Sequence, residues 1–316
     1  MLDKASLDCG DLDFSGLNNL DLEVIEYDTT NPKKTAKRIK DMEIIITNKV
    51  ILDKKLINEA SNLKLICITA TGTNNVDLEA AKQKGIIVCN VTGYATSSVV
   101  QHVFMLISVL NTKLMQYTAA VSKNKWSKSN FFCLLDFPIT DLENKTIGII
   151  GYGELGKGVA KLAKAFGMRV LICESLQVDK KNDKDRVSFN ELLAESDIIS
   201  LHCPLTEQTE NLIAENEFNK MKPTAILINT ARGGIVNEQA LLTALQTKQI
   251  AGAGFDVLVQ EPPAMDHFLL SADLDNLIVT PHIAWASQTS RQHLWDGVIS
   301  NIEAFMRKTP RNVVNI

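Results

Sequence analysis

Short runs of β-branched and apolar residues recur along this chain and alternate with segments whose apolar positions repeat every three to four residues. The runs are LEVIEY (22–27), EIIITN (43–48), KLICIT (64–69), GIIVCNV (85–91), TIGIIG (146–151), RVLICE (169–174), DIISLH (197–202), AILINT (225–230), AGAGFDVL (251–258) and NLIVTPH (276–282). Segments such as VDLEAAKQKG (76–85) and LGKGVAKLAKAFG (155–167) separate them with helical periodicity. A strand that alternates apolar and polar residues has one wet face. These runs are apolar almost throughout, which predicts parallel strands covered by helices on both faces. The pattern lapses at residues 123–146, KNKWSKSNFFCLLDFPITDLENKT, which turns from polar to aromatic and carries Pro138, and so predicts a long excursion between elements. No repeat array or low-complexity tract interrupts the alternation.

The run at 146–150 leads directly into Gly151-x-Gly153-x-x-Gly156 and then into a helical segment. Glycines at this spacing allow a tight turn, close approach of the backbone to a pyrophosphate and close helix–strand packing. The helix start then offers free N–H groups and a positive dipole end. The motif is weak alone and gains weight from its strand–turn–helix–strand setting. The following strand ends in Glu174, eighteen residues beyond Gly156. An acid there takes the adenosine ribose hydroxyls and repels a 2′-phosphate, and Ser175 follows it in place of a cation, so NAD is the expected cofactor.

Length and charge narrow the class. The 316 residues allow two domains. With 45% hydrophobic and 22% charged residues the chain reads as a globular protein. A formal charge of −4 offers no basic footprint for nucleic acid or an anionic membrane. Six cysteines without a C-x-x-C pair, several inside apolar runs, suit a reducing cytoplasm and suggest no metal centre. The acidic start has no apolar signal segment, and the longest apolar stretch, VVQHVFMLISVL (99–110), is too short to span a bilayer.

A mid-chain dinucleotide motif leaves the substrate to be held by other residues, and three stand out. Arg232 closes a buried run before two glycines, where α/β sheets bind ligands, and its planar fork suits a carboxylate. Glu261 lies 29 residues further on and His282 another 21, each after an intervening strand or helix. Each has a bland reading alone: a surface ion pair, a turn acid before Pro262, a core histidine. Three polar groups at successive strand ends beside a nucleotide motif point instead to one site.

GYGELG, NTARGGIVNE, FDVLVQEPP and PHIAWAS resemble the D-isomer-specific 2-hydroxyacid dehydrogenases over nearly the whole chain. TGTNNVDLEAAKQKGIIVCNVTGYATSSVVQH and FFCLLDFPITDL are most similar to their glycerate dehydrogenase (hydroxypyruvate reductase) branch. The resemblance implies an α/β fold of two Rossmann-like domains with parallel sheets, the cofactor domain inserted into the substrate domain. Residues 1–98 plus 286–316 would form a flavodoxin-like substrate-binding domain and residues 99–285 the NAD-binding domain. A helix near 99–118 would cross between the domains and join a homodimer interface. Arg232, Glu261 and His282 become the catalytic trio. Cofactor contacts fall to Gly151, Gly153, Leu155, Gly156, Glu174, Cys203, Pro204, Thr230, Ala231, Arg232, Asp256 and His282. Substrate contacts fall to Thr71, Gly72, Thr73, Arg232, His282 and Trp285.

The reaction so implied is NAD(H)-dependent reduction of hydroxypyruvate or glyoxylate to D-glycerate or glycolate. Arg232 would hold the carboxylate, His282 would give the proton, and Glu261 would orient the ring. Departures from the family pattern are a first strand shortened to Leu2-Asp3, Asn144 in place of a usual glycine, Glu174 in place of the commoner aspartate, and DHFLL (266–270) without its usual proline. His102 could face substrate or a domain hinge, and Trp285 could wall the site or only pack. D-lactate, phosphoglycerate and phosphite dehydrogenases share the trio and remain open, as does an NAD-sensing corepressor. A formate dehydrogenase is disfavoured by the carboxylate at Glu261.

Overall fold

The computed structural model describes residues 1–176 and 185–316, and the chain divides into two compact units, Met1–Ala95 with Trp285–Ile316 and Thr96–Ala284. In the first unit β1 (Ile44–Thr47), β2 (Leu65–Ile68) and β3 (Ile87–Cys89) form a parallel sheet in the order β1-β2-β3. Because successive side chains point to opposite faces, Ile45, Ile66, Ile68 and Val88 join one apolar cluster. Ile46, Leu65, Cys67 and Cys89 join another with Leu294, Trp295 and Val298 of the helix Gln288–Met306. Both faces are buried, as apolar runs without alternation require. Trp295 is fully buried and stacks at a tilt on Phe14, with ring centroids 4.4 Å apart.

One expectation fails in this unit. Residues 22–27 form no strand: Tyr27 N–H donates to the Met1 carbonyl and Lys4 N–H to the Tyr27 carbonyl, so the segment pairs briefly with residues 1–4 and leaves Val24 and Ile25 exposed. The shortened first strand is reduced to one ladder bond, Leu2 N–H to the Ile46 carbonyl. Beyond it the Asp3 carboxylate accepts from the Asn48 and Lys49 amides at 2.9 and 2.7 Å.

The second unit is built on six parallel strands in the order β5-β4-β6-β7-β8-β9, spanning β4 (Thr146–Ile150), β5 (Arg169–Ile172), β6 (Ile198–Leu201), β7 (Ile226–Asn229), β8 (Gly252–Phe255) and β9 (Leu277–Val279). The order reverses beside β4, so a crevice opens at the carboxyl ends of β4 and β6, where open α/β sheets take their ligands. Gly254 admits the helix Thr96–Thr112: a Cβ there would lie 3.0 Å from both Ile228 and Leu106. The single helix expected near 99–118 is two helices. Thr96–Thr112 stops at Lys113, whose φ of +54° breaks the ladder, and Leu114–Ser122 leaves at 59°. No regular element follows before β4, and Tyr117 Oη instead donates to the Phe137 carbonyl at 2.6 Å. Among the described residues no single helix is long and apolar enough to cross a membrane.

Candidate active site

The glycine turn joins β4 to the helix Glu154–Ala165, and its contacts explain its composition. Gly151 has φ +94°, and a Cβ on it would lie 2.5 Å from the Cys203 nitrogen. One on Gly156 would lie 2.2 Å from the Gly151 carbonyl oxygen, whereas nothing stands within 4 Å of the Cβ position of Gly153. Two glycines thus close the turn against its neighbours and the third leaves open space at the N-cap of a helix that no side chain caps. Leu155 is half-buried in the first helical turn. Two buried side-chain atoms at neighbouring strand ends, Thr230 Oγ1 and His202 Nδ1, have no hydrogen-bond partner among the described residues. Open backbone donors and orphaned polar atoms around one crevice fit a dinucleotide. His202, whose Nε2 lies 2.9 Å from Ser200 Oγ, is lowered to about 4 by burial and is neutral at physiological pH. Burial pushes the adjoining Cys203 thiol up to about 11, and the Pro204 carbonyl accepts from Thr209 Oγ1.

Glu174 lies two residues beyond the end of β5, and its Oε1 accepts from the Phe189 amide at 3.2 Å. Sequence reading did not single out Arg186, whose guanidinium donates to the Cys173 carbonyl at 3.4 Å and sits 6.0 Å from the Tyr152 ring centroid. An anion and a cation therefore flank the same strand end. Among the described residues no group of three or more His, Cys, Asp or Glu side chains could hold a metal ion.

Further along the sheet, Asn229 at the end of β7 shapes the Arg232 loop. Its side chain accepts from the Ala231 amide at 3.0 Å and donates to the Arg232 carbonyl at 2.9 Å. Arg232 Nη1 donates to the Ala231 carbonyl at 2.6 Å. Gly233 then passes so close to the next loop that a Cβ would lie 2.0 Å from the Leu258 carbonyl oxygen. That next loop carries Glu261, whose Oε1 accepts from the Leu258 amide at 3.0 Å and whose Oε2 meets His282 Nδ1 at 2.6 Å. Glu238, at the start of a helix, holds the same loop by accepting from the Val259 amide at 2.7 Å. The short carboxylate–imidazole bond engages Nδ1 and so orients the ring. His282 itself has φ +54°, a conformation that costs a non-glycine residue about 1–2 kcal/mol.

Asp256, 1% exposed, follows β8 and is committed to the His282 loop: Oδ1 accepts from the Ile283 amide at 2.9 Å and from the Thr280 hydroxyl, and Oδ2 from the Ala284 amide at 2.7 Å. His102 Nε2 lies 2.9 Å from Thr280 Oγ1. Its place was legible: with Val99, Val103 and Leu106 it lies on the buried stripe of its helix. In the other unit Thr71 Oγ1 donates to the Val91 carbonyl at 3.0 Å, and Gly72 and Thr73 continue that loop. Trp285 packs edge-on to Tyr94 with ring centroids 6.4 Å apart.

Residues 104–284 match the D-isomer specific 2-hydroxyacid dehydrogenase NAD binding domain. A glycerate dehydrogenase from Methylorubrum extorquens is 45% identical over 314 residues, covering 99% of this chain and 97% of the relative. A hydroxypyruvate reductase from Blautia hydrogenotrophica is 38% identical and covers 100% and 98%. Among solved structures, D-lactate dehydrogenase of Aquifex aeolicus with NAD and lactic acid has a TM-score of 0.79 at 32% identity, covering 93% of this chain and 91% of that one. An acyclic imino acid reductase with NADPH and D-Arg has a TM-score of 0.84 at 33% identity, covering 96% of each chain. With its glycine turn, its parallel sheet and its carboxylate–histidine pair, this chain belongs to the D-isomer-specific 2-hydroxyacid dehydrogenases, NAD-dependent oxidoreductases acting on the CH–OH group of small 2-hydroxy acids.

Proposed function

We propose that the chain reduces hydroxypyruvate or its smaller analogue glyoxylate, giving D-glycerate or glycolate. The observation that carries the chemistry is the 2.6 Å Glu261–His282 pair on a loop whose backbone is fixed by Asp256. What favours the substrate is the similarity to the glycerate dehydrogenase and hydroxypyruvate reductase relatives over nearly the full chain.

The cofactor, when bound, supplies the hydride that the substrate's C2 receives. Its contacts are assigned to Gly151, Gly153, Leu155, Gly156, Glu174, Cys203, Pro204, Thr230, Ala231, Arg232, Asp256 and His282. Arg232 pairs with the substrate carboxylate through two parallel N–H groups and draws charge from the adjoining carbonyl. His282 in its imidazolium form gives its Nε2 proton to the carbonyl oxygen, which becomes the hydroxyl. Glu261 holds the ring through Nδ1 and stabilises its positive form before transfer. Thr71, Gly72, Thr73 and Trp285 are assigned substrate contacts on the resemblance alone.

The working unit is proposed to be a homodimer. Its support is the run of large apolar side chains left exposed after the helix break, with Phe131 at 77%, Phe132 at 90% and Leu135 at 85%, more than a monomer usually leaves on one segment. The cytoplasm is proposed as its compartment because all six cysteines are unpaired.

A panel of 2-keto acids followed by NADH oxidation tests the substrate. Hydroxypyruvate and glyoxylate are expected to exceed pyruvate in kcat/KM, because a site that hydrogen-bonds a substrate hydroxyl rejects an analogue lacking it. Pyruvate as the best substrate would withdraw the glycerate assignment while leaving the family in place.

A further inference from the structure

The loop that carries His282 hangs on a buried chain of hydrogen bonds that starts on a different element. The amides of Ile283 and Ala284, directly after the histidine, both donate to Asp256, and the His282 amide turns back to the Thr280 carbonyl at 3.0 Å. These bonds brace the residues on either side of the +54° φ at His282. Asp256 is in turn met by the Thr280 hydroxyl at 2.5 Å. A hydroxyl has one proton, so with that proton spent on the carboxylate Thr280 Oγ1 can only accept from His102 Nε2, 2.9 Å away. This assigns the His102 tautomer as Nε2–H. Burial lowers the ring's pKa, opposed by the Asp256 carboxylate 3.5 Å from Nε2. The same helix grips the loop a second time, where Ser98 Oγ donates to the Ala284 carbonyl at 2.6 Å.

We propose that His102, acting through the Thr280 hydroxyl and Asp256, is a positioning residue that fixes the backbone of the proton donor, an inference that rests on the reading of His282 given above. The chain runs from the helix Thr96–Thr112 to the two amides beyond His282, so a change at either early member misplaces the imidazole without touching substrate. A misplacement of about 1 Å costs up to roughly 10²-fold in rate.

The test is the pair Thr280→Val and Thr280→Ser, each read by amide hydrogen exchange over residues 281–284 and by kcat and KM of keto-acid reduction. Valine keeps the branched shape and removes the hydroxyl, whereas serine keeps the hydroxyl. Expected for Thr280→Val are a loss of protection at the Ile283 and Ala284 amides and a kcat lowered by up to about 10²-fold with substrate KM near the wild-type value. Thr280→Ser should restore both, and His102→Phe should reproduce the loss of protection with Asp256 intact. Wild-type protection in Thr280→Val, or in His102→Phe if the valine variant does not fold, would overturn the relay. His282→Ala separates the two claims: near-normal kcat there would remove the proton-donor reading, whereas the exchange measurement bears on the relay alone.

Discussion

Single residues here are chosen by what lies beside them, and Glu174 is the clearest case with a measurable consequence. Its carboxylate lies two residues beyond β5 and, in the proposed cofactor site, would face a 2′-phosphate with like charge. Such a contact at about 4 Å is worth on the order of 1–4 kcal/mol between bulk water and a protein surface. The wild type should therefore prefer NADH, and Glu174→Ala should cut the NADH/NADPH ratio of kcat/KM by roughly tenfold or more. A wild type indifferent to the two cofactors would show that Glu174 does not meet the ribose. Asn144 shows the same logic in the backbone: the family's glycine is replaced, yet φ is +62° and asparagine is among the few residues that tolerate it.

At the scale of elements, two loops that each carry a site residue are locked together where Gly233 passes the Leu258 carbonyl. Gly233→Ala forces a Cβ into a 2.0 Å approach to backbone, so one loop must move. Arg232 and Glu261 would part from their present spacing. Overpacking of this kind costs about 1–3 kcal/mol in stability, and the displaced groups should lower kcat/KM by up to about 10²-fold. Thermal unfolding and steady-state kinetics read the two effects, and a variant with normal kinetics would mean the loops tolerate the shift. The sequence made such elements legible where pattern and chemistry agreed. Apolar runs with both faces covered gave β1 through β9, and the glycine spacing gave the turn before Glu154–Ala165. It misled where tertiary contacts decide: LEVIEY has strand composition but pairs only with residues 1–4, and the helix after residue 96 breaks at a lysine that no propensity marks. Arg232, Glu261 and His282 stood out as ionisable side chains at strand ends. Asn229 and Thr280 did not, because their function lies in hydrogen bonds to backbone that no local motif announces.

At the scale of the whole molecule, the exposed aromatic segment and the Glu261–His282 pair make separate demands. Sedimentation should give about twice the 34.9 kDa chain mass, and Phe131→Asp with Phe132→Asp should give the single chain. A monomeric wild type would leave that apolar surface unexplained. The central claim is that this chain reduces a 2-keto acid with the Glu261–His282 pair delivering the proton. Reduction takes up one proton as well as the hydride, and His282 is the proposed donor of that proton. Glu261→Gln keeps the shape of the side chain that meets Nδ1 while removing its charge. His282→Ala should lower kcat by about 10²–10⁴-fold. The most direct measurement is kcat of keto-acid reduction for the wild type, His282→Ala and Glu261→Gln: the account predicts that His282→Ala loses that rate and Glu261→Gln loses part of it while both still bind NADH, and a His282→Ala variant with wild-type kcat would contradict it.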